Sequence, residues 1–273
     1  MIIDTHAHIY SDNEQAYPSI EGPLRPPSGT GSTDHLRQEM DAAGVDRAVL
    51  IQTSTFYRWD NRFLRDTSAA TRDWAAGVCT LDPDDPHSPD LLFALAERSN
   101  IRGMRSIPAA NGRYDHPGVR RLWAEAARLG IVINSLVPVQ LSYELASLAE
   151  DHPSLPVVLD HCLSLAAGPH FEATISTVVE LARYPNLHAK LTFIPTGSAE
   201  RYPFRDMHDA FRRIVRAYGP ERCVWGSDFP VELWCPKVSF QGHLDLFRGE
   251  LGLSEGEQAA ILGGTAERLW FSA

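Results

Sequence analysis

Short apolar runs alternate with amphipathic stretches along the whole chain, in the rhythm of strands followed by helices. The runs are apolar at consecutive positions, which is typical of strands buried on both faces. They predict eight strands, at residues 2–8, 46–52, 74–79, 101–106, 131–135, 156–161, 186–192 and 222–228. Helical periodicity predicts helices at residues 34–43, 57–71, 88–98, 118–129, 138–151, 171–184, 205–218, 241–251 and 254–262.

This alternation predicts the α/β class, as either a barrel or an open doubly wound sheet. Eight strands favour a (β/α)₈ TIM barrel, and no Gly-rich dinucleotide loop follows the first strand. The 273 residues, 44% of them hydrophobic, suit one large domain of this kind, so we expect a single barrel domain over residues 1–273.

The segment between the first strand and the first helix, residues 10–32, is polar and rich in proline and glycine. Loops of such length are usually functional or mobile. Two interpretations remain open, a cover over the mouth of a site and a plain surface excursion.

Net charge and cysteine content limit which partners and which cellular compartment we expect. A formal net charge of −10 argues against a nucleic-acid surface and against adsorption to anionic membranes. No leader or apolar run of about 18 residues is present, and the four cysteines lack C-x-x-C spacing, so we expect a cytoplasmic protein with reduced thiols. A small-molecule substrate is therefore the expected partner. A homo-oligomer is also possible, because the aromatic residues could line either a pocket or an interface between subunits.

Two histidines close the first strand. His6 and His8 are two residues apart, so on an extended chain their side chains face the same way. Two convergent imidazoles suit a divalent metal or a hydrolytic site that polarises a carbonyl, although a His-x-His pair also arises by chance.

Two further residues end strands that are otherwise apolar. His161 closes the sixth strand as Leu159-Asp160-His161, and we expect Asp160 to point the other way. Asp228 closes the eighth strand, after Gly226 and before Pro230. Because barrel enzymes carry their chemistry at the carboxyl ends of the strands, His161 and Asp228 are predicted to be catalytic together with His6 and His8. The same carboxylate could instead join His6 and His8 as a metal ligand.

Weaker candidates for substrate binding are Arg105, Asn134 and Tyr57. Arg105, near the end of the fourth strand, could bind a carboxylate in a bidentate manner, or could form an ordinary salt bridge. Lys190, on the seventh strand, is interpreted as a buried charge paired with a neighbouring acid.

Four segments together resemble a known family: Ile3-Asp4-Thr5-His6-Ala7-His8, Val158-Leu159-Asp160-His161, Trp225-Gly226-Ser227-Asp228-Phe229-Pro230 and the closing segment 261–269. They are similar to the amidohydrolase superfamily and, within it, to the amidohydrolase 2 branch, with its 2-pyrone-4,6-dicarboxylate lactonases, sugar lactonases and metal-dependent decarboxylases. The resemblance implies a distorted barrel of the metal-dependent-hydrolase type. Thr265 departs from this pattern, because the family usually has Asn before the corresponding Ala.

A larger departure lies on the fifth strand, where Asn134 and Ser135 replace the His or Lys ligand of the family's decarboxylases and binuclear hydrolases. The resemblance therefore implies a lactonase, because lactonases of the branch can do without that ligand. It leaves one divalent metal such as zinc, held by His6, His8 and Asp228, or a metal-independent site.

The functional hypothesis is hydrolysis of a small carboxylated or hydroxylated lactone. Asp228 would activate water, His6 and His8 would polarise the carbonyl, His161 would stabilise the oxyanion and Arg105 would orient a carboxylate. Two alternatives are a zinc-dependent non-oxidative decarboxylase of an aromatic or muconate-like acid, and a barrel that has lost catalysis and serves as a binding protein.

Overall fold

Eight parallel strands form one sheet in the computed structural model, which describes residues 1–272. The strands are paired in sequence order from β1 to β8. Their bounds are β1 Ile3–Ala7, β2 Arg47–Ile51, β3 Ala75–Thr80, β4 Ile101–Ser106, β5 Val132–Ser135, β6 Val157–Leu159, β7 Leu187–Lys190 and β8 Cys223–Val224. The predicted (β/α)₈ TIM barrel is confirmed.

The barrel closes where β1 meets the segment that follows β8. The backbone N–H of His8 donates to the carbonyl of Phe229 at 2.8 Å, and the N–H of Phe229 donates to His6 at 3.2 Å. Ala7 and Phe229 form a parallel bridge. This closure brings His6 and His8 next to the segment that contains Asp228.

Helical segments connect the strands. They are α1 Thr33–Ala43, α2 Ser54–Tyr57, α3 Arg62–Ala70, α4 Ser88–Arg98, α5 Pro117–Leu129, α6 Ser142–Asp151, α7 His161–Ser164, α8 Phe171–Leu181, α9 Phe193–Gly197, α10 His208–Tyr218, α11 Val231–Trp234, α12 Phe240–Asp245 and α13 Glu255–Ala259. Helix α1 begins as predicted, because the Ser32 side chain accepts from the N–H of His35, and it ends at Gly44, whose φ is 70°. No helix within residues 1–272 is long and apolar enough to cross a membrane.

The helix predicted at 57–71 is divided in two. Arg58 has a φ of 51°, which ends α2. The side-chain amide of Asn61 donates to the carbonyls of Trp59 and Thr80 at 2.9 Å each, so α3 begins only after this link to β3. Polar contacts to a neighbouring strand thus override the helical periodicity.

Three other predicted elements differ at their ends. The eighth strand is limited to Cys223–Val224, because Gly226 and Ser227 instead pack against β1. The two C-terminal helices widen into π-helical turns at Leu246–Glu250 and Ala260–Gly264.

The interior of the barrel is filled by aliphatic residues and closed by the C-terminal segment. Ile3, Val49, Val132 and Val224 belong to one buried cluster with Trp270, which is 2% exposed. Gly103 allows this packing, because a Cβ there would lie 3.2 Å from Nε1 of Trp270 and 2.9 Å from the carbonyl oxygen of Val132. The polar residues of the site lie toward the carboxyl ends of the strands.

Candidate active site

The histidines of β1 converge as predicted. Their Nε2 atoms are 3.2 Å apart, and both side chains are buried. Nδ1 of His8 lies 3.0 Å from the carbonyl oxygen of Ile51. A carbonyl only accepts, so Nδ1 of His8 carries the hydrogen and its Nε2 keeps a free lone pair.

Asp4 joins β1 to the segment that bears Asp228, a role that the sequence analysis missed. Its carboxylate accepts from the N–H of Ser227 at 2.8 Å and from the N–H of His6 at 3.0 Å. The closeness needs Gly226, because a Cβ at that position would lie 2.8 Å from the Cβ of His6. Burial raises the pKa of Asp4 to about 6 despite these hydrogen bonds.

Asp228 lies between two of the predicted histidines. One carboxylate oxygen is 3.2 Å from Nε2 of His6, and the other is 3.7 Å from Nδ1 of His161. Nδ1 of His161 is also 2.7 Å from the hydroxyl of Thr192, which follows β7 and precedes α9. The structure therefore brings two of the predicted catalytic histidines, His6 and His161, to the carboxylate of Asp228, with His8 adjacent to His6.

His161 and Asp228 both occupy the left-handed region of backbone conformation. Segment α7 is a turn in which His161, Cys162, Leu163 and Ser164 have φ values of 52°, 47°, 62° and 58°, and Asp228 has a φ of 61°. For residues other than glycine this conformation costs roughly 1–2 kcal/mol each. Such strain persists only where surrounding contacts impose it, and it is concentrated at functional sites.

Asp160 faces into the barrel, so the prediction that it points away is wrong. Its carboxylate lies 2.8 Å from Nζ of Lys190 and 3.0 Å from Nε of Arg105. The side-chain amide of Asn134 donates to the same carboxylate at 3.1 Å. The interpretation of Lys190 as a buried charge paired with an acid is confirmed, whereas Asn134 is fully buried against Asp160.

Burial and neighbouring cations set the protonation of the site. Burial, followed by the charges of Lys190 and Arg105, lowers the pKa of His6 well below its ordinary value, and burial also lowers that of His8. Burial opposes ionisation of Asp160, but Lys190 and Arg105 hold its pKa far below the usual range. Burial raises the pKa of Asp228, although His161, Arg105 and Lys190 act in the opposite direction. The histidines of β1 are thus neutral near pH 7, and Asp228 is a stronger base than an exposed carboxylate.

A cavity of about 480 Å³ opens above this cluster. His8, Arg105, His161 and Asp228 line it, whereas His6 lies behind them and is fully buried. Asn134 and Tyr57, the other predicted substrate-binding residues, do not belong to this described lining. The hydroxyl of Tyr57 instead accepts from the N–H of Ser11 at 2.7 Å, so substrate contact by these two residues stays a prediction.

The proline-rich segment 10–32 packs beside the cavity mouth. The N–H groups of Ile20 and Leu24 donate to the carbonyls of Phe56 and Thr55 at 2.8 and 3.1 Å. These acceptors belong to α2, whose Ser54 and Thr55 line the cavity. The segment therefore supports α2 at one side of the cavity mouth.

The sequence profile of the family described as Amidohydrolase matches residues 3–271. The chain belongs to this family. It is 28% identical to L-fucono-1,5-lactonase of Burkholderia ambifaria over 194 residues, or 69% of this chain. The match covers 66% of that lactonase, just under two thirds of its length.

Two solved structures share the fold of this amidohydrolase. A putative 2-pyrone-4,6-dicarboxylic acid hydrolase from Pseudomonas putida superposes with a TM-score of 0.83 at 22% identity, covering 98% of this chain and 97% of the other. An amidohydrolase from Burkholderia multivorans with bound zinc has a TM-score of 0.78 at 25% identity, covering 99% of each chain.

His6, His161 and Asp228 form a group that could bind a metal ion, because one ligand atom from each lies within 4.8 Å of the others. This differs from the predicted set in that His161 takes the place of His8. Two imidazoles and a carboxylate are a suitable donor set for zinc.

The hydrogen bonding of His6 opposes metal binding in this arrangement. Nζ of Lys190 lies 3.3 Å from its Nδ1, and Nη2 of Arg105 lies 2.9 Å from its Nε2. If Lys190 donates to Nδ1, the neutral ring carries its hydrogen on Nε2; if Arg105 donates to Nε2, that lone pair is already used. Either way Nε2 has no lone pair for a metal. The residues fit a metal by distance, but the hydrogen bonding of His6 opposes coordination through Nε2.

Proposed function

We propose that this amidohydrolase hydrolyses a small lactone. The observation that carries the proposal is the convergence of Asp228, His161, His8 and Arg105 on one cavity. A base, imidazoles and a cation within one recess are groups that serve the hydrolysis of a cyclic ester. The lactonase relative supports the same reaction class.

Asp228 is the proposed general base. A water molecule in the cavity gives a proton to its carboxylate as the water oxygen bonds to the carbonyl carbon. The C–O bond of the ring then breaks, and the ring oxygen takes the proton back from Asp228. The product is the open hydroxy acid. His6, which contacts Asp228 from behind at 3.2 Å, holds the carboxylate in place.

Charge on the carbonyl oxygen develops during the attack, and His161 and Arg105 are proposed to stabilise it. Both line the cavity, and Arg105 is held by Asp160 at 3.0 Å. A fixed cation in a buried site stabilises an oxyanion without reorganising at the moment of reaction. The predicted polarisation of the carbonyl by His8 does not fit this arrangement, because its neutral ring directs its one hydrogen, on Nδ1, to the carbonyl of Ile51.

The Asp228→Asn variant tests the assignment against a panel of lactones, with proton release followed by a pH indicator. We expect kcat/KM to fall by about 10²–10⁴-fold, the usual contribution of a general base. Asp209→Asn, on the exposed face of α10, is the matched control and should keep full activity. A lactonase activity that survives unchanged in Asp228→Asn would overturn the mechanism.

The same preparations distinguish the decarboxylase alternative. Release of carbon dioxide from aromatic or muconate-like acids, abolished by a chelator, would favour the decarboxylase and contradict the proposal. We expect no such release, because Asn134 and Ser135 on β5 supply neither a histidine nor a lysine.

A further inference from the structure

The cavity has an aliphatic wall on the side of β4 and β5. Ile107 and Leu136 come directly after these strands, and both line the cavity. The last residues of the two strands, Ser106 and Ser135, are paired neighbours in the sheet. Ile107 and Leu136 therefore stand side by side, and Leu165, after the left-handed turn α7, extends the same lining.

An indole ring lies on the other side. Trp234 of α11 lines the cavity, and its ring centroid is 5.5 Å from that of His8 on β1. With the strands in sequence order around a closed barrel, β1 and β5 lie on opposite sides of the axis. A ligand above Asp228 thus has an indole on one side and aliphatic side chains on the other, which suits an apolar group.

The charges of the lining admit one anionic group. Among the described lining residues, Arg105 and Asp228 carry the permanent charges, one of each sign. Nε of Arg105 donates to Asp160 and its Nη2 contacts His6, which leaves Nη1 without a protein partner in residues 1–272. Nη1 can bind either the carbonyl oxygen of the ester or one substrate carboxylate, whereas a further carboxylate would face the carboxylate of Asp228 or the apolar walls.

The cavity lining offers few pairs of adjacent hydrogen-bonding groups to a ligand rich in hydroxyl groups. Ser54, Thr55, Ser164 and Thr196 each offer a single hydroxyl group. Within the described part of the chain, the lining contains no amide side chain, and its one carboxylate is Asp228. Adjacent sugar hydroxyls would thus exchange water for single hydroxyl groups, without the amide side chains that can bind two neighbouring hydroxyls at once.

We propose that the substrate is a lactone with an apolar alkyl or aryl substituent and at most one carboxylate. The substituent lies between Trp234 and the wall formed by Ile107 and Leu136, and the ester faces Asp228. This inference rests on the proposed function. It describes a compound unlike the sugar lactone and the dicarboxylic acid for which the relatives are named.

The test compares lactones under one indicator assay, with spontaneous hydrolysis subtracted. The panel contains δ-hexalactone, δ-octalactone, δ-decalactone and dihydrocoumarin, with D-glucono-1,5-lactone and 2-pyrone-4,6-dicarboxylate as polar competitors. We expect kcat/KM to rise about fourfold for each added methylene until the apolar wall is covered. Both polar compounds should be at least tenfold poorer substrates than δ-decalactone.

Two variants test which residues produce the preference for an apolar substituent. Leu136→Asn should lower the ratio of kcat/KM for δ-decalactone to that for δ-hexalactone by about tenfold, because the added methylenes would then contact an amide. Leu91→Asn, at an exposed leucine of α4, is the matched control and should leave the ratio unchanged. Calorimetry with the Asp228→Asn variant and δ-decalactone provides a readout that does not depend on turnover.

The outcomes separate the two proposals. Faster hydrolysis of D-glucono-1,5-lactone or of the dicarboxylate than of δ-decalactone would overturn the inference and leave the lactonase proposal standing. An unchanged ratio in Leu136→Asn would also overturn it. Failure to hydrolyse any lactone in the panel would overturn both.

Discussion

Nζ of Lys190 lies 2.8 Å from the carboxylate of Asp160, and neither side chain is exposed to solvent. The other oxygen of the same carboxylate accepts from Arg105 at 3.0 Å. One buried anion therefore compensates two buried cations, and both cations in turn contact His6. The electrostatics of the site depend on Asp160, which does not itself line the cavity.

Removing that anion should destabilise the fold. Asp160→Asn leaves Lys190 and Arg105 without their counter-ion, and breaking a buried pair in this way costs about 3–5 kcal/mol. The free energy of unfolding, measured by urea denaturation at pH 7, should fall by this amount. The double variant Asp160→Asn with Lys190→Met should regain part of the loss, because one unpaired charge is then absent.

The exposed pair of Arg120 and Asp151 supplies the control. Asp151→Asn should change the free energy of unfolding by less than about 1 kcal/mol, as is usual for surface ion pairs. A double variant no more stable than Asp160→Asn would show that packing, rather than charge, dominates.

Arg105 should weaken the binding of divalent metals. Its Nη2 lies 2.9 Å from the nitrogen of His6 that a metal would need. Replacing it by methionine removes that donor and a positive charge from the site, so the neutral ring can present an Nε2 lone pair to a metal. Equilibrium dialysis against Zn²⁺, followed by elemental analysis, should show affinity at least about tenfold higher in Arg105→Met than in the wild type.

Two further variants check this interpretation. Arg102→Met changes an exposed arginine of the same strand and should leave zinc affinity unaltered. Adding His161→Ala to Arg105→Met should abolish the gain, because His161 is the second imidazole of the group. A tightly bound stoichiometric zinc in the wild type would contradict the proposed competition.

Acid should destabilise the fold through His243. This buried residue accepts from Nε1 of Trp225 at 3.0 Å, and burial lowers its pKa from the ordinary 6.5 to about 4. The unfolded chain therefore binds the proton more readily, so stability present above pH 6.5 is lost as the pH falls toward 4. His243 alone should contribute a loss on the order of 3 kcal/mol over this window.

Denaturation curves at several pH values between 7 and 4 measure this effect. His243→Gln, which cannot acquire the charge, should show a flatter dependence on pH than the wild type, even if it is less stable at pH 7. His87→Gln, at an exposed histidine, should keep the slope of the wild type. Equal slopes in His243→Gln and the wild type would contradict the assignment.

Much of the fold followed from the pattern of the sequence, because buried parallel strands leave a strong signal. The prediction of one helix at 57–71 was wrong because the division depends on Asn61, whose side-chain amide contacts residues both near and far in the chain. Periodicity records which face of a helix is buried, and it carries no information on such a contact. The short eighth strand likewise depends on how closely Gly226 approaches His6.

The polar residues at the strand ends indicated where the candidate site lies, but not the hydrogen bonds and ion pairs within it. His6, His8, His161 and Asp228 were recognisable because each interrupts or ends an apolar run. The orientation of Asp160 was not recognisable, because the chain leaves the strand after Leu159 and enters a left-handed turn that alternation does not anticipate. Asp4 was overlooked because its partner, Ser227, is distant in sequence, although an acid inside an apolar strand was a usable signal.

Trp270 closes the barrel at its amino end. It packs under the aliphatic layer, with its ring 5.8 Å from Nζ of Lys190, and so blocks the amino end of the barrel beneath the site. Substrate and product must then use the same opening, at the carboxyl ends of the strands. In the proposed reaction, a hydroxy acid that leaves slowly would occupy the site that the next lactone needs, so an accumulating product would inhibit the reaction competitively.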